Sequence, residues 1–377
     1  MNITFFGHNC FFIKGSNVNL LSDPWLNKKG AFFGSWFQWP INHKCKKQLV
    51  ETLIKNKNTY LYISHEHQDH FDKETLLLIK PYIKACVIPK YDDSFLYNEI
   101  CSLGYEVLEL ADQSKYYFNV NDYIELMIID TGVNHDSTAI FKIDKKVFVN
   151  QNDCKIFDRL NYLENINVDY YSVQFSGANL HPVCYEMEEV ERKKISNKKV
   201  LSKLIAIRNA IKLIKPRFYL PSAGPAIFPF LKTNLSLGVD NIFIHQPDIK
   251  KFLKNSDTEV LCLKPGECLD PLKHKEPIAP PSFLELENLK KNLSCEFLEH
   301  KDEDFDIEEL IIEVKKRLDK IKDLIYESEG LKCSIGISYS KSLAKYASKL
   351  NKPDGITFIN KSNYKLYLNN SPVESLC

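Results

Sequence analysis

Four metal-ligating side chains lie within six consecutive positions of the stretch SHEHQDH: His65, His67, Asp69 and His70. His65 and His67 are two residues apart, so at the end of an extended strand they point to the same side and can bind one ion. Asp69 and His70 follow in a turn and can face a second ion. Imidazole and carboxylate ligands suit zinc first, and also manganese or iron. The spacing therefore predicts a site for two divalent ions rather than a polar, solvated loop.

Further ligands must come from other parts of the chain. DTGVNHDST offers His135, beside Asp136, after a strand, and KKVFVNQNDC ends a strand at Asp153, which could bridge two ions. NIFIHQPD offers His245 as a last ligand. His181 in GANLHPVC is the alternative, although a pocket or structural role suits it better.

His8 and the aromatic stretch FFGSWFQWP, residues 32–40, have less specific interpretations. His8 lies between two pairs of phenylalanines, which favours a hydrogen-bonded histidine buried in a β-hairpin; a position lining the pocket is the alternative. The aromatic stretch precedes the histidine-rich segment, and we expect it to form a wall of a substrate cleft.

Two such ions would support hydrolysis. They lower the pKa of a shared water to near neutrality, and the resulting hydroxide attacks a carbonyl or phosphoryl centre. Asp69 or Asp153 could accept the proton as the intermediate collapses, so both are candidate catalytic residues. The predicted substrate is a small-molecule ester, lactone, amide or phosphodiester. Iron in the same ligands would instead support oxygen chemistry with a separate redox partner.

The elements around these residues alternate between strands and helices. TYLYISH, KACVIPK, YIELMIIDTG, STAIFKID and KKVFVNQND have the composition of strands, and KETLLLIKPYI and VLSKLIAIRNAIKLIKPR have apolar residues at helical spacing. This alternation predicts a layered α/β fold.

Composition predicts three parts of the chain. Prolines cluster in KHKEPIAPPS, residues 273–282, as in a linker. We therefore predict a large domain over 1–282, a charged helical linker over 283–329 and a small α+β part over 330–377.

Bulk composition favours a cytoplasmic protein. The formal net charge of the 377 residues is +1, which argues against a general attraction to nucleic acid or to acidic membranes. The eleven cysteines include no CxxC pair, which suits free thiols in a reducing compartment. No apolar run approaches the roughly 20 residues that span a bilayer, and the first residues lack the pattern of a signal peptide.

The motifs together resemble a known family. SDPWL, AFFGSWFQWP, YLYISHEHQDHFDKETL, NQNDC, FSGANLHPVCYE, IKPRFYLPSAG and CLKPGECLD occur, in this order, over about residues 1–282. They resemble the metallo-β-lactamase-like domain of the CMP-N-acetylneuraminate hydroxylase family, within the metallo-β-lactamase superfamily.

This resemblance implies a four-layer αβ/βα sandwich with the metals at one edge of its two sheets. It implies that His135 is the lone histidine ligand, that Asp153 is the bridging acid and that Asp23 supports the metal-bearing loop. A sugar or sugar nucleotide becomes a candidate substrate. The paired Cys and His ligands of a Rieske cluster do not occur in this sequence, so an oxygenase would need a separate Rieske or ferredoxin partner.

A second resemblance covers about residues 325–377. GLKCSIGISYSKSLAKYASKLNKPDGITFI, residues 330–359, resembles the palm of Y-family DNA polymerases. The carboxylates that hold magnesium in that family are missing, so polymerase activity is not expected. A DNA-associated protein remains the alternative to a hydrolase. Its candidate phosphate contacts, for which a solvated helix face is the favoured interpretation, are Lys341, Lys345, Lys349 and Lys352.

Overall fold

The structure is a computed structural model that divides into two compact units, Met1–Glu299 and His300–Cys377. The residues that it describes are 1–131, 135–237, 241–293, 307–338, 340–360 and 363–368. The three-part division predicted from composition stays a prediction.

The first half of the first unit forms one sheet with its helices. Its elements are β1 (Asn2–Gly7), β2 (Cys10–Lys14), β3 (Asn19–Ser22), β4 (Phe37–Gln38), α1 (Lys46–Lys55), β5 (Thr59–Tyr62), α2 (Lys73–Ile79), β6 (Ile83–Pro89), α3 (Phe95–Ser102) and β7 (Val107–Leu110).

The second half of this unit forms the other sheet, except that its strand over Glu267–Cys268 joins the first sheet and its strand over Ala226–Ile227 pairs with β4. Its elements are β8 (Lys115–Tyr117), β9 (Tyr123–Asp130), β10 (His135–Ile143), β11 (Lys146–Asn152), β12 (Tyr170–Gln174), α4 (Glu189–Ile214), β13 (Phe218–Ser222), β14 (Ala226–Ile227), α5 (Thr233–Leu237), α6 (Gln246–Phe252), β15 (Glu259–Val260), β16 (Glu267–Cys268) and α7 (Phe283–Lys291).

Two seven-stranded sheets face each other in this unit. One has the strand order β16-β1-β2-β3-β5-β6-β7 and the other β15-β13-β12-β11-β10-β9-β8. Aromatic side chains from both sheets fill the space between them, as in the contact of Phe11 with Phe148, whose ring centroids are 5.1 Å apart. Helices α1, α2 and α3 add buried leucines and isoleucines to the first sheet, and α4 and α6 do so for the second. The predicted α/β fold, a four-layer αβ/βα sandwich, is confirmed.

The carboxyl ends of the parallel strands carry the polar segments of interest. Strands β3, β5 and β6 are parallel neighbours in one sheet, and β11, β12 and β13 are parallel neighbours in the other. The residues of β5 are all buried, which suits an apolar TYLY strand that is covered on both faces. The loops that follow such strands gather functional side chains in α/β proteins.

Helix α7 belongs to the first unit, although it lies in the predicted linker. Its Leu286 is buried against Phe37 and Ile227. Ser282 begins the helix with a capping box, in which its side chain accepts from the Glu285 N–H. The proline-rich stretch before it is also attached, because the Trp39 indole N–H donates to the Ala279 carbonyl at 3.1 Å.

The second unit is a small α+β arrangement. Its elements are α8 (Ile307–Glu329), β17 (Ile335–Ser338), α9 (Lys341–Leu350), β18 (Ile356–Ile359) and α10 (Tyr364–Leu368). The two strands are parallel, and Tyr346, Ala347 and Ile359 form the buried core. At Gly336 a Cβ would come within 2.0 Å of the Ala344 carbonyl, so α9 packs on β17 at a distance that only glycine permits. Residues 294–306 and 369–377 and the side chain of Lys341 lie outside the described part of the chain.

Among the described residues, no helix is both long enough and apolar enough to cross a membrane.

Candidate metal centre

One edge of the sandwich gathers histidines and aspartates from both sheets. Segment 65–70 follows β5, and Asp23 follows β3 in the same sheet. Asp153 follows β11 in the opposite sheet, and His8 lies in the tight turn between β1 and β2. Residues far apart in sequence therefore meet because their strands end at the same edge.

The first group of ligand atoms comes from His65, His70 and Asp153. One atom of each lies within 4.8 Å of the other two, and both histidines are fully buried. Asp153 Oδ1 is 3.4 Å from His70 Nε2 and 4.0 Å from His65 Nε2, so this carboxylate lies between the two rings. His67 adjoins the group, with its Nδ1 2.8 Å from His65 Nε2.

The second group is formed by His8, Asp69 and His70. His8 Nε2 lies 3.2 Å from Asp69 Oδ2 and 3.1 Å from His70 Nε2. The buried, hydrogen-bonded histidine expected at position 8 is therefore also a candidate ligand. The sequence feature that could have indicated this role is a histidine in a β-hairpin turn. That turn lies at the edge of the sheet where β3 and β5 end.

Aromatic residues of the stretch 32–40 surround this edge. The Trp25 and Trp36 rings meet the His8 imidazole edge to face, with centroids 5.2 and 5.0 Å away. The ring centroids of Phe32 and His67 are 6.3 Å apart, and the side chain of the neighbouring Phe33 is exposed to solvent. Trp36 of this stretch thus packs against His8 of the candidate site, and Phe32 lies beside His67 at the border of the site.

Asp23 orients His70 from behind. Its Oδ2 lies 2.9 Å from His70 Nδ1 and accepts from the Asn9 side-chain amide at 2.6 Å. The Ser64 N–H and hydroxyl donate to the same carboxylate at 2.8 and 2.7 Å. A histidine that donates Nδ1–H to a carboxylate presents the lone pair of Nε2, which is the arrangement common in metal sites. These contacts agree with the supporting role that the resemblance implies.

Asp136 holds the corresponding position behind His65. Its Oδ1 lies 3.3 Å from His65 Nδ1, and burial raises the pKa of Asp136 to about 6 although His65 opposes this. The sequence offered Asp136 only beside His135, and nothing in the pattern distinguished the two.

His135 lies with other partners. Its ring stacks on Tyr91 at 4.7 Å, its Nδ1 is 3.3 Å from Glu66 Oε1 and its Nε2 is 3.3 Å from Asp130 Oδ1. Within the described residues it belongs to neither group of converging ligand atoms. Its role as a ligand stays a prediction.

His245 and His181 are likewise outside both groups of described ligand atoms. His245 begins α6, where it forms a capping box with Asp248, and burial lowers its pKa to about 4. The His181 ring contacts Tyr185 edge to face, with centroids 4.8 Å apart. Neither ligand role is tested by these contacts.

The buried charges hold one another in their ionised forms. Burial lowers the pKa of His70, but the carboxylates of Asp153, Asp69 and Asp23 outweigh this and raise it to about 9. Burial raises the pKa of Asp69, but His70 and His8 bring it well below the usual range. Since metal ligands must be deprotonated, a cation that enters would displace the proton of His70.

The buried polar atoms at this edge that lack a hydrogen-bond partner among the described residues include His8 Nδ1, Asp69 Oδ1 and Asp153 Oδ1. A buried polar atom without a partner costs about 1–3 kcal/mol. Divalent ions take imidazole and carboxylate ligands of this kind. The residues present therefore fit a metal centre.

Residues 2–121 match the family model described as the beta-lactamase superfamily domain. Together with the four-layer sandwich, this match defines the first unit as a metallo-β-lactamase-fold domain, and the resemblance inferred from the motifs is confirmed.

Two curated relatives resemble the first unit. A putative Rieske 2Fe-2S iron-sulfur protein of Mycobacterium tuberculosis is 30% identical over 266 residues, which are 67% of this chain and 49% of the relative. The cytidine monophosphate-N-acetylneuraminic acid hydroxylase of Danio rerio is 24% identical over 240 residues, 59% of this chain and 38% of that protein. The chain thus spans about half the length of the first of these relatives and less of the second.

The C-terminal part has a relative of a different kind. DNA polymerase IV of Clostridium perfringens is 46% identical over 54 residues, which are 14% of this chain and 15% of the polymerase. This match confirms the second resemblance, which is confined to a short fragment.

Proposed function

We propose that the chain is a hydrolase that holds two divalent ions at this edge, zinc being the first choice, and that it cleaves a small-molecule ester, lactone or phosphodiester. The observation that carries the proposal is the convergence of ligand atoms from both sheets around buried polar atoms that have no hydrogen-bond partner among the residues that the structure describes.

The geometry suggests how the ligands divide between two ions. His65 and His67 converge at one side, and His8, Asp69 and His70 converge at the other. Asp153 lies between His65 and His70, so it is the residue best placed to contact both ions. Asp23 and Asp136 hold the rings of His70 and His65 in orientation.

Two bound divalent ions would supply an activated water as the nucleophile, because they lower its pKa to near neutrality. The chain's own residues would position the reactants and move protons. Asp69 and Asp153 have lowered pKa values, chiefly because His70 counteracts the effect of burial, so both are ionised at neutral pH. We assign proton transfer to these two carboxylates, each of which has an oxygen without a hydrogen-bond partner among the described residues.

An oxygenase subunit is the second candidate. Iron suits the same imidazole and carboxylate ligands, and the names of the two relatives, a Rieske protein and a hydroxylase, favour this chemistry. In this case electrons would come from a separate Rieske or ferredoxin protein.

Elemental analysis of the chain purified without added metal tests the proposal, with His67→Ala as the variant and His274→Ala as the control, because His274 contacts Asp270 and Glu267 and belongs to neither group of described ligand atoms. We expect about two equivalents of zinc or manganese in the wild type, loss in His67→Ala and retention in His274→Ala. A panel of esters, lactones and phosphodiesters should be hydrolysed by the loaded protein and left intact after chelation. Iron in place of zinc would favour the oxygenase, and absence of bound metal in the wild type would contradict both.

A further inference from the structure

A cavity of about 560 Å³ adjoins the metal centre. Asp153 and Cys154 line it at the edge of the sandwich that carries the candidate metal ligands, called the metal edge below. Helix α4 forms one wall of the cavity, and residues 173–179 with Ile242 and Ile244 form the other wall. The volume falls in the range of small-molecule pockets. A molecule in this cavity would therefore lie directly beside a carboxylate of the proposed metal centre.

The charged residues that line the cavity are mostly lysines. They are Asp153, Lys155, Lys199 and Lys203, so cations outnumber the single carboxylate. Apolar and aromatic surface completes the lining, including Phe157, Phe175 and Ile242. Such a cavity suits a molecule that has an apolar or ring-shaped body and an acidic group.

Lys203 is a half-buried cation of this lining. Its Nζ donates to the Ser176 carbonyl at 2.7 Å and to the Gln174 side-chain oxygen, so both protein partners are neutral. Within the described residues it forms no ion pair with a carboxylate, and one N–H of its ammonium group has no protein partner. Burial lowers its pKa to about 8, although the field of Asp153 opposes this. Partial removal of an ammonium group from water without a counterion is costly, and an anion in the cavity would offset that cost.

Lys199 stands one turn earlier on α4 and is held toward the loop after β12. Its Nζ donates to the His181 carbonyl at 2.8 Å and approaches Asn179 Oδ1 at 3.3 Å. Gly177 lets this loop approach the 242–244 segment closely, because a Cβ there would come 2.7 Å from the Ile242 carbonyl. The wall opposite α4 is thus fixed by packing and hydrogen bonds, so Lys203 faces a formed cavity.

We propose that this cavity binds the anionic group of a small-molecule substrate, a carboxylate or a phosphate, and that Lys203 is the residue that recognises it. That the bound molecule is a substrate rests on the proposed function, whereas the binding of an anion in this cavity is independent of it. The reacting bond would then lie on the side of the molecule nearer Asp153.

The test compares three probes on the full chain: benzoate, phenyl phosphate and the neutral benzamide. Affinities are measured at pH 7 by ligand-observed NMR, in metal-loaded protein and after chelation. We expect both anions to bind at least about tenfold more tightly than benzamide, because a hydrogen bond to a charged group contributes about 1.5–3 kcal/mol. The preference should persist after chelation, and the ratio of benzoate to phenyl phosphate affinity distinguishes a carboxylate site from a phosphate site.

Variants assign the preference to Lys203. Lys203→Gln should weaken anion binding about tenfold or more, and Lys203→Arg should keep most of it. The matched control is Lys194→Gln, an exposed lysine of the same helix that does not line the cavity. Circular dichroism and thermal unfolding verify that each variant folds; should Lys203→Gln not fold, the comparison of benzoate with benzamide in the wild type decides.

Four results would overturn the assignment. Benzamide could bind as tightly as benzoate, or no probe could bind at millimolar concentration. The control Lys194→Gln could lose as much affinity as Lys203→Gln. The preference could vanish on chelation, which would assign anion binding to the ion. Failure of the hydrolase proposal is distinguishable, because it appears as missing metal or missing hydrolysis while the anion preference of the chelated protein stays.

Discussion

The metal edge of the first unit and the small second unit both contain specific sequence motifs. The two regions differ in the contacts that the motif residues make. At the metal edge, ligand atoms from both sheets converge, and some buried polar atoms have no hydrogen-bond partner in the described part of the chain. In the second unit, the described polar groups are used locally: Ser340 caps α9, and the Asn351 amide donates to Thr357 Oγ1 at 2.9 Å. No group of metal ligands occurs among the described residues of that unit. The contacts in the second unit are thus between residues close in sequence, whereas the metal edge brings together residues from distant parts of the chain.

The largest effect should come from His70→Ala, which breaks the metal edge at the residue common to both groups of ligand atoms. We expect metal affinity to fall more than about 100-fold, since loss of a ligand should exceed the 10–100-fold typical of a supporting residue. Competition with a chromogenic chelator measures it. His274→Ala serves as the control, and unchanged metal affinity in His70→Ala would remove the contrast between the two units.

Asp23→Asn should have the next largest effect. It keeps the size of the side chain but weakens the contact that orients His70 Nδ1, so metal affinity should fall roughly 10–100-fold. Asp122→Asn is a matched control, because Asp122 is also buried and accepts from the Asn119 amide and the Asp144 N–H outside the cluster. Both variants should lose stability in thermal unfolding, but equal loss of metal affinity would show that Asp23 acts only through stability.

The third prediction concerns the pH dependence of benzoate binding in the cavity beside the metal edge. Since the pKa of Lys203 is lowered to about 8, its ammonium group loses its proton above that pH. Benzoate stays ionised throughout, so its affinity for the chelated protein should fall above pH 8 and level off at the loss expected for Lys203→Gln, about tenfold or more. Lys203→Arg should remove the dependence because arginine stays protonated. Constant wild-type affinity up to pH 10 would contradict the lowered pKa.

The smallest effect is expected in the second unit. Lys345 and Lys352 are exposed, so replacing each by glutamine should change affinity for a labelled DNA duplex less than about twofold. Fluorescence anisotropy over a range of salt concentrations measures both affinity and its salt dependence. A decrease of about 0.9 in the slope of log affinity against log salt for each lysine removed would instead indicate a phosphate contact and favour the DNA-associated alternative.

The fold was largely predictable because apolar periodicity and strand-helix alternation are local signals. The helix expected from Val200 begins at Glu189, since its first turns are polar and lie at the surface, where periodicity gives no signal. A helical linker over 283–329 was expected, but the docking of α7 on the first unit was not, because it depends on Phe37 and Ile227, which are distant in sequence.

The site was predictable where its residues are adjacent and much less so elsewhere. His135 and Asp136 are neighbours on β10, so their side chains point to opposite faces of the strand. A difference of one residue in register decides which of them faces His65, and the sequence alone does not fix that register. His8 and Lys203 were harder still, because their position in the site depends on a hairpin turn and on the packing of α4.

Because candidate ligands come from both sheets, a bound ion would affect how the domain unfolds. His65 and Asp153 belong to opposite halves of the sandwich, so an ion held by both would act as a cross-link between them. Such an ion binds only the assembled edge, and at a thousand times its dissociation constant it would add about 4 kcal/mol to the free energy of unfolding. Removal of the ion would let the two sheets separate at this edge under milder denaturant, so the supply of metal would control the lifetime of the fold as well as its chemistry.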